Sequence, residues 1–387
     1  MGGLLARHDS SESASRNPVE NGTPPPITRR LETFATLIAA GVTLFEVRSH
    51  WPNNFLIYRT ATENLLRGSD LYVAYPERHF DLFKYSPTFA LAFWPFAVAP
   101  TLLSLLLWNS ASAWCFARTL RAVIPDTIGQ VFAGLMLLWP FVAQVSGAQT
   151  NALIAALMIA GVIAMENYRP QASALAITSG AMMKLFPLAA MPLLLTQPRR
   201  LRFLVTTVLS AVLLIVSPLV VVTPHVLLQE YRSWYRVESV DALDRGYSVM
   251  GVLHDWFNLD WPNWPIQLVG TAILLLPLLL RRRRLTELAF RRQMLASILF
   301  YVVLFNHQAE YQSYLISATG FVIWFLWSPR TVPRAVATAL AMFALHPVPY
   351  FFAWSALQVE LMRPTRRVHS NVADTDVDSR YDRSEEL

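Results

Sequence analysis

Long apolar runs alternate with short polar stretches along most of the chain. A membrane-spanning helix needs roughly 17–25 mostly apolar residues. Nine runs reach or approach this length, and we expect helices over 31–49, 101–120, 127–145, 149–166, 201–222, 265–280, 290–306, 311–327 and 332–361, the last as one helix or two short ones.

Two further apolar stretches are interrupted or short. Residues 171–197 contain Lys184 and Pro187, which predicts two short helices that meet in a hairpin near one face of the membrane. Residues 86–99 are bounded by prolines and predict a short crossing or a re-entrant segment. The whole pattern predicts an all-α polytopic membrane protein, a bundle of about 10–13 transmembrane helices with large outer loops.

The composition agrees with a membrane protein. Hydrophobic residues make up 54% of the 387 positions and charged residues only 15%, whereas soluble domains carry roughly 25% charged residues. The net charge of +6 comes from arginines clustered between apolar runs, so it does not predict a nucleic-acid partner. Cys115 is the single cysteine, which excludes a disulfide within the chain.

The two ends differ from the apolar body. Residues 1–30 are rich in Ser, Asn and Pro and lack the shape of a signal peptide, which predicts a disordered cytoplasmic arm. The composition of residues 362–387 predicts a disordered acidic tail. Between them, 31–361 is expected to form one multi-pass domain, and we place it in the inner membrane of a bacterial cell.

Arginine clusters indicate the orientation, because cytoplasmic loops carry an excess of Lys and Arg. The clusters expected inside are Arg29–Arg30, Arg118/Arg121, Arg169, Arg199–Arg202, Arg281–Arg284, Arg291/Arg292, Arg330/Arg334 and Arg363–Arg367. This arrangement leaves the loops 50–85 and 223–262 outside, with the short stretch 305–313. The links at 146–151 and at Lys184 come out on the same face. Function is therefore expected on the outer face.

The first outer loop carries one helical pattern. In "NNFLIYRTATENLLRG" (53–68), the apolar residues that recur close to helical spacing are Phe55, Tyr58, Ala61, Leu65 and Leu66. Gly68 would end that helix. We expect an amphipathic helix that lies on the bilayer surface.

Only two lysines stand among 30 arginines, and both occur in a Lys-x-x-Pro frame, "KYSP" (84–87) and "KLFP" (184–187). A lysine at membrane depth costs roughly 2.5–3.5 kcal/mol and usually faces a cavity or pathway. A compact ammonium suits a phosphate group. Lys84 and Lys184 are therefore predicted to hold a lipid phosphate, and interfacial snorkelling is the alternative.

Several short motifs follow one another in a fixed order: "NFLIY" (54–58), "LLRGSDLY" (65–72), "YSP" (85–87), "AQTN" (148–151) and "KLFP" (184–187). In this order and spacing the chain resembles the family 87 glycosyltransferases, membrane enzymes with a GT-C fold, over about residues 30–200. The family has Gly where this chain has Ala148.

The resemblance implies a GT-C-like bundle and a reaction. The expected donor is a polyprenyl phosphate carrying a mannose-like hexose or a pentose, and the acceptor is a glycan or glycolipid of the cell envelope on the outer face. Transfer is expected to invert the sugar carbon and to need no cofactor. Asn54, Tyr58, Lys84 and Tyr85, in or beside the matching motifs, are predicted to bind substrate.

The resemblance also implies an acidic base in the first loop, but Asn54 stands where the family has Asp. A neutral amide does not accept a proton at neutral pH, whereas attack of a hydroxyl on an anomeric carbon needs a base. Asp81 is the first candidate for that base, with an ion pair to Lys84 or Arg78 as the alternative. Glu310 is the second candidate.

Other polar residues are predicted on the same face. His307 and Glu310 are three residues apart and are expected to share one helix face, with His307 binding substrate. A buried His–Glu pair without function is the alternative. Gln149 and Asn151 are predicted to bind sugar hydroxyls, with helix capping or helix–helix hydrogen bonds as the alternative. The sequence shows no metal site and no Gly-rich nucleotide loop.

Two other functions remain open at this point. Broken helices with a buried lysine also suit a transporter or flippase of lipid-linked sugars, although the chain lacks a convincing internal repeat. Asn54 supports a catalytically silent member of the family that binds lipid or partner proteins.

Overall fold

The computed structural model describes residues 30–124, 126–195, 199–329 and 344–364. The predicted N-terminal arm and acidic tail lie almost wholly outside these ranges, as does most of the first half of the predicted helix 332–361. The described residues form helices and no strand. The helices are α1 Arg30–Glu46, α2 Asn53–Arg67, α3 Pro87–Ala92, α4 Trp94–Val98, α5 Thr101–Val123, α6 Thr127–Ser146, α7 Asn151–Glu166, α8 Pro170–Met183, α9 Met191–Leu195, α10 Arg200–Val216, α11 Pro224–Asp241, α12 Val249–Phe257, α13 Asn263–Leu280, α14 Leu288–Leu304, α15 Tyr314–Leu326 and α16 Pro347–Met362.

Eight of the nine predicted apolar runs match these helices to within a few residues, and of the ninth, 332–361, the described part contains α16. The chain is an all-α membrane protein. Three of the described helical stretches are long and apolar enough to cross a membrane: Thr127–Ser146, Arg200–Val220 and Asn263–Leu280. The Arg200–Val220 stretch continues α10 through a short 3-10 helix, Ser217–Val220. The number of spans and their orientation stay predictions.

The chain breaks at Lys184 as predicted. Lys184 has an extended backbone after α8, and a 3-10 helix, Phe186–Ala190, leads into the short α9. Gly180 makes the tight return possible, because a Cβ there would lie 2.7 Å from Cγ of Pro187. The hairpin thereby places the Lys184 side chain at the end of α8.

Two apolar clusters hold the molecule together. The larger one lies within the bundle, where α1 packs along α5, α14 along α15, and α8 against both α7 and α10. The smaller one lies under the first outer loop and centres on the fully buried Tyr58 ring, which contacts Tyr85, Phe89, Phe93 and Trp108 edge-on.

Two expectations about the loops were wrong, and one further loop contains helices that were not predicted. The apolar face of α2 does not lie on the bilayer surface, because Phe55, Tyr58, Ala61 and Leu65 are buried against the protein, chiefly α3 and α4. Gly68 ends α2 in a left-handed conformation as predicted. The second loop, 223–262, folds into α11 and α12, which its polar sequence did not indicate. Finally, α14 ends at Leu304, so His307 and Glu310 lie on a loop and not on one helix face.

Candidate functional site

A cavity of about 660 Å³ lies where the outer loops meet the bundle. Its walls come from the first loop, the end of α8, α11, and the loop that follows α14. Residues predicted from the sequence that line this cavity are Asn54, Asp81, Lys84, Tyr85, Lys184, His307 and Glu310. These predicted residues, which lie up to 256 positions apart in the chain, thus share one chamber.

Lys84 is paired within the protein. Its Nζ lies 3.0 Å from Oδ2 of Asp241, at the end of α11, and 3.9 Å from Oδ1 of Asp81. Burial lowers the pKa of Lys84, but the Asp241 hydrogen bond and the carboxylates of Asp81 and Glu310 raise it by more, so the net pKa lies above its usual value. Lys84 therefore stays charged and joins the first loop to α11.

The last turns of α11 extend this connection. Gln308 Nε2 donates to Oε2 of Glu238 at 3.1 Å and to Oδ2 of Asp241 at 3.3 Å. Trp234 Nε1 donates to Oε1 of Glu238 at 3.1 Å and to the Lys84 carbonyl at 3.3 Å. Burial raises the pKa of the Glu238 carboxyl, although the hydrogen bonds from Gln308 and Trp234 oppose this.

Lys184 differs from Lys84 in having no ion pair with any carboxylate of the described residues. Its Nζ lies 5.5 Å from the centre of the Phe186 ring, a cation–π contact. The cavity wall beside it is apolar and is formed by Met183, Leu185, Phe186, Ala189, Val302 and Phe305. Lys184 is thus a cation beside apolar residues that line the same cavity.

Glu310 is exposed to the cavity and held in place from behind. Its Oε2 accepts a 2.7 Å hydrogen bond from Nε2 of Gln149, and its side chain also accepts from the Ser313 backbone N–H in a capping box. Gln149 itself is 2% exposed. The carboxylate therefore has a fixed orientation and still faces the cavity.

Asn54 supports the turn that carries Gln149. Its Nδ2 donates to the Gly147 carbonyl at 3.0 Å. The next residue, Ala148, has a φ of 50°, a left-handed conformation that favours glycine, and Trp108 Nε1 donates to its carbonyl at 3.1 Å. An amide suits the position of Asn54 because it donates a proton, which a carboxylate cannot do.

His307 lines the cavity, and one of its ring nitrogens has no hydrogen-bond partner among the described residues. Nδ1 lies 3.3 Å from Nε2 of Gln267, whereas the buried Nε2 has no hydrogen-bond partner in the described part of the chain. Burial lowers the pKa of His307, partly opposed by the carboxylates of Asp244 and Asp241. The lowered pKa favours the uncharged ring near pH 7.

Three of the predicted substrate-binding residues do not line the cavity. Tyr58 is fully buried, and its hydroxyl lies 2.9 Å from that of Tyr85, so it supports Tyr85 from behind. Gln149 contacts Glu310, as described above. Asn151 is buried at the start of α7, and both its side-chain polar atoms lack a partner among the described residues.

Asp81 is near Lys84, as the alternative interpretation expected, but its Oδ1 also accepts the backbone N–H of Leu82 at 2.7 Å. Arg78 pairs with Glu63 at 2.7 Å and not with Asp81. The side chain of Asp81 is 51% exposed. This carboxylate is thus at the open edge of the chamber.

Sequence reasoning missed Glu238 and Gln308, which line the chamber, and Asp241, which pairs with Lys84. A signal for the first two was present: Trp234 and Glu238 are four residues apart, and Glu238 and Asp241 three apart, which puts them on one face once α11 is a helix. Gln308 had no such signal, because it lies on an irregular loop.

The fold and its chamber define a helical membrane protein whose loops enclose a charged cavity. The chain belongs to glycosyltransferase family 87, because the model of this family matches residues 83–306, more than half of its length. The match includes Lys84, Gln149 and Lys184 and leaves out Asn54 and Glu310. A search of curated proteins found no significant match. The protein is therefore a membrane glycosyltransferase, and the transporter interpretation is set aside.

Proposed function

We propose that the protein transfers a sugar, a mannose-like hexose or a pentose, from a polyprenyl-phosphate donor to a glycan or glycolipid on the outer face of the membrane. One observation carries this proposal: a single cavity combines an apolar wall, the oriented carboxylate of Glu310 and the ammonium of Lys184, which no carboxylate of the described residues neutralises. A lipid-linked phosphate needs the apolar wall and the ammonium, and hydroxyl attack needs the carboxylate.

The donor fits the end of the cavity at Lys184. The phosphate charge would be balanced by the ammonium, and the first prenyl units would pack on Phe186, Val302 and Phe305. Lys84 suits this role less well, since Asp241 already neutralises it. A positively charged group held close to the leaving phosphate stabilises the charge that develops during transfer.

Glu310 is the proposed base. Asp81 is less suitable because its carboxylate lies 3.9 Å from Nζ of Lys84, whereas Glu310 forms no ion pair among the described residues and is oriented by the buried Gln149. The acceptor hydroxyl oxygen forms a bond to the anomeric carbon as its proton passes to Glu310. The bond from that carbon to the phosphate oxygen breaks, and the phosphate leaves with the electron pair beside Lys184. A single displacement of this kind inverts the anomeric carbon.

The test is a transfer assay with purified protein in lipid vesicles, radiolabelled polyprenyl-phosphate mannose or pentose, and an extract of membrane glycolipids as acceptor. Removing a general base costs about a hundredfold to ten-thousandfold in rate. We expect Glu310→Gln to lower turnover by that factor while the protein still binds donor. Asp81→Asn is the matched control and should stay within a few-fold of the unmodified protein.

If Asp81→Asn lowers turnover by this factor and Glu310→Gln does not, the base is Asp81. Transfer from a nucleotide sugar, with none from either lipid phosphate, would refute the proposed donor class. Donor binding without any transfer by the unmodified protein would favour the catalytically silent interpretation.

A further inference from the structure

A second cavity of about 560 Å³ adjoins the 660 Å³ chamber described above. It is bounded by α12 and by the start of α16. Asp244, Gly246 and Tyr247 line both cavities, so the two spaces share a rim. None of the sequence motifs described above falls in this cavity.

The shared rim is fixed to the loop that carries His307 and Glu310. The Tyr247 N–H donates to the Ala309 carbonyl at 2.7 Å, and Tyr314 Oη donates to the Tyr247 carbonyl at 3.0 Å. Gly246 has a φ of 42°, and a Cβ there would lie 2.6 Å from the Ala309 carbonyl oxygen. A ligand in the second cavity would thus be held at a set distance from Glu310.

One wall of the second cavity is a flat ring surface. Trp256 stacks on His346, with ring centres 5.7 Å apart and planes 20° apart. Trp256 is 60% exposed. A broad ring face next to polar groups is the usual composition of a pocket for a small, partly polar ligand, and the C–H face of a sugar ring packs on such a surface.

The other wall carries oriented hydrogen-bonding groups. Asp260 Oδ1 lies 3.1 Å from Nη2 of Arg245 and 3.0 Å from Nδ1 of His254. Arg245 and His254 line the cavity, as do the carboxylates of Asp244 and Asp255. One arginine among these carboxylates gives no excess of positive charge, which favours a neutral, hydroxyl-rich ligand over a phosphate.

We propose that this second cavity is a carbohydrate subsite that holds the acceptor glycan and presents its reacting hydroxyl across the shared rim to Glu310. The proposal rests on the proposed function, because it takes the adjoining chamber as the donor site. In this subsite Trp256 stacks on a sugar ring of the acceptor, and His254 and Arg245 contact its hydroxyl groups.

The experiment separates two fates of the labelled donor sugar in the vesicle assay: transfer to membrane glycolipids and hydrolysis by water to free sugar. We expect Trp256→Ala to lower transfer by about tenfold or more, as loss of a central aromatic contact does, and to leave hydrolysis within twofold. His254→Ala should act in the same direction. Trp261→Ala is the matched control, since Trp261 is similarly exposed at 56% and lines neither cavity.

Unchanged transfer in both Trp256→Ala and His254→Ala would overturn the subsite. An equal fall of transfer and hydrolysis would also overturn it, because the residues would then act on the donor or on the fold.

A second measurement covers the case in which the unmodified protein transfers no sugar, so that the proposed function itself fails. Intrinsic fluorescence is then titrated with methyl α-mannoside in the millimolar range. A change that Trp256→Ala abolishes and Trp261→Ala retains supports a carbohydrate site without transferase activity. No change in the unmodified protein overturns the site.

Discussion

Replacing Asn54 by aspartate is the sharpest test of how the site is built. The resemblance to the family implies that N54D would restore a base and raise activity. The structure implies the reverse, because the Asn54 amide donates to the Gly147 carbonyl at 3.0 Å and a carboxylate there would face the carbonyl oxygen without a proton between them.

Two free-energy costs decide whether the aspartate introduced by N54D is protonated or ionised. Staying protonated at pH 7 costs about 4 kcal/mol, from an ordinary Asp pKa near 3.9 and 1.36 kcal/mol per pKa unit. Losing the hydrogen bond costs about 1–3 kcal/mol. The ionised side chain, without the hydrogen bond to the Gly147 carbonyl, is therefore the state of lower free energy. The turn at 147–149 loses its support, and Gln149 no longer fixes Glu310.

We therefore expect N54D to lower the free energy of unfolding by about 1–3 kcal/mol and turnover by up to about a hundredfold, the scale of a 1 Å misplacement at a reacting centre. The assays are thermal unfolding in detergent and sugar transfer in vesicles. The matched control is N53D. Asn53 accepts the Phe80 N–H through Oδ1, and a carboxylate oxygen keeps that bond while adding the same charge.

The stability difference between the two variants should shrink as the pH falls towards 4, because the carboxyl group introduced by N54D, once protonated, can donate to the Gly147 carbonyl. A rise in turnover for N54D at unchanged stability would refute this reasoning and return the base to the first outer loop.

Three further predictions use the same preparations. Lys184→Gln should abolish transfer at unchanged thermal stability and Lys184→Arg should rescue it only in part; full activity in the first variant would reduce Lys184 to an interfacial anchor. Burial raises the pKa of Glu230 to about 7, so the folded state holds this proton more tightly than the unfolded state. Stability should thus fall as the pH rises from about 4.5 through 7, and Glu230→Gln should flatten this dependence in melts at pH 5.5 and 8. In a Cys115→Ser background, an impermeant thiol reagent added outside intact cells should label Ser69→Cys and spare Thr286→Cys; the reverse pattern would invert the predicted orientation.

The helices and the convergence of polar residues were predictable from the sequence, because both follow from local signals. Apolar runs gave the helix positions, and Lys184 with Pro187 marked the break in its own segment. Placing Lys84, Lys184 and Glu310 on one face needed only the alternation of spans and the arginine bias, and all three line one cavity.

The pairing of these groups was not predictable. Which lysine is neutralised depends on the docking of α11, whose Asp241 is 157 residues beyond Lys84. Likewise, the role of Asn54 depends on a contact 93 residues away with Gly147. Neither contact leaves a trace in the local pattern. The helix face expected for His307 and Glu310 rested on their spacing alone, whereas α14 ends at Leu304 and both residues lie on the loop that follows it.

The bond between the first outer loop and α11 has a consequence for biogenesis. Glu230 accepts the Leu71 N–H at 3.0 Å across 159 residues of chain. At a synthesis rate of about 5–20 residues per second, the ribosome needs roughly 8–30 s to make the intervening segment. During that interval the first loop has already been translated, while the carboxylates that will bind its backbone and Lys84 do not yet exist. The nascent protein therefore passes through a stage in which this loop is not yet bound to α11 and is accessible to chaperones and proteases. The loop can take its final position only after α11 has been synthesised.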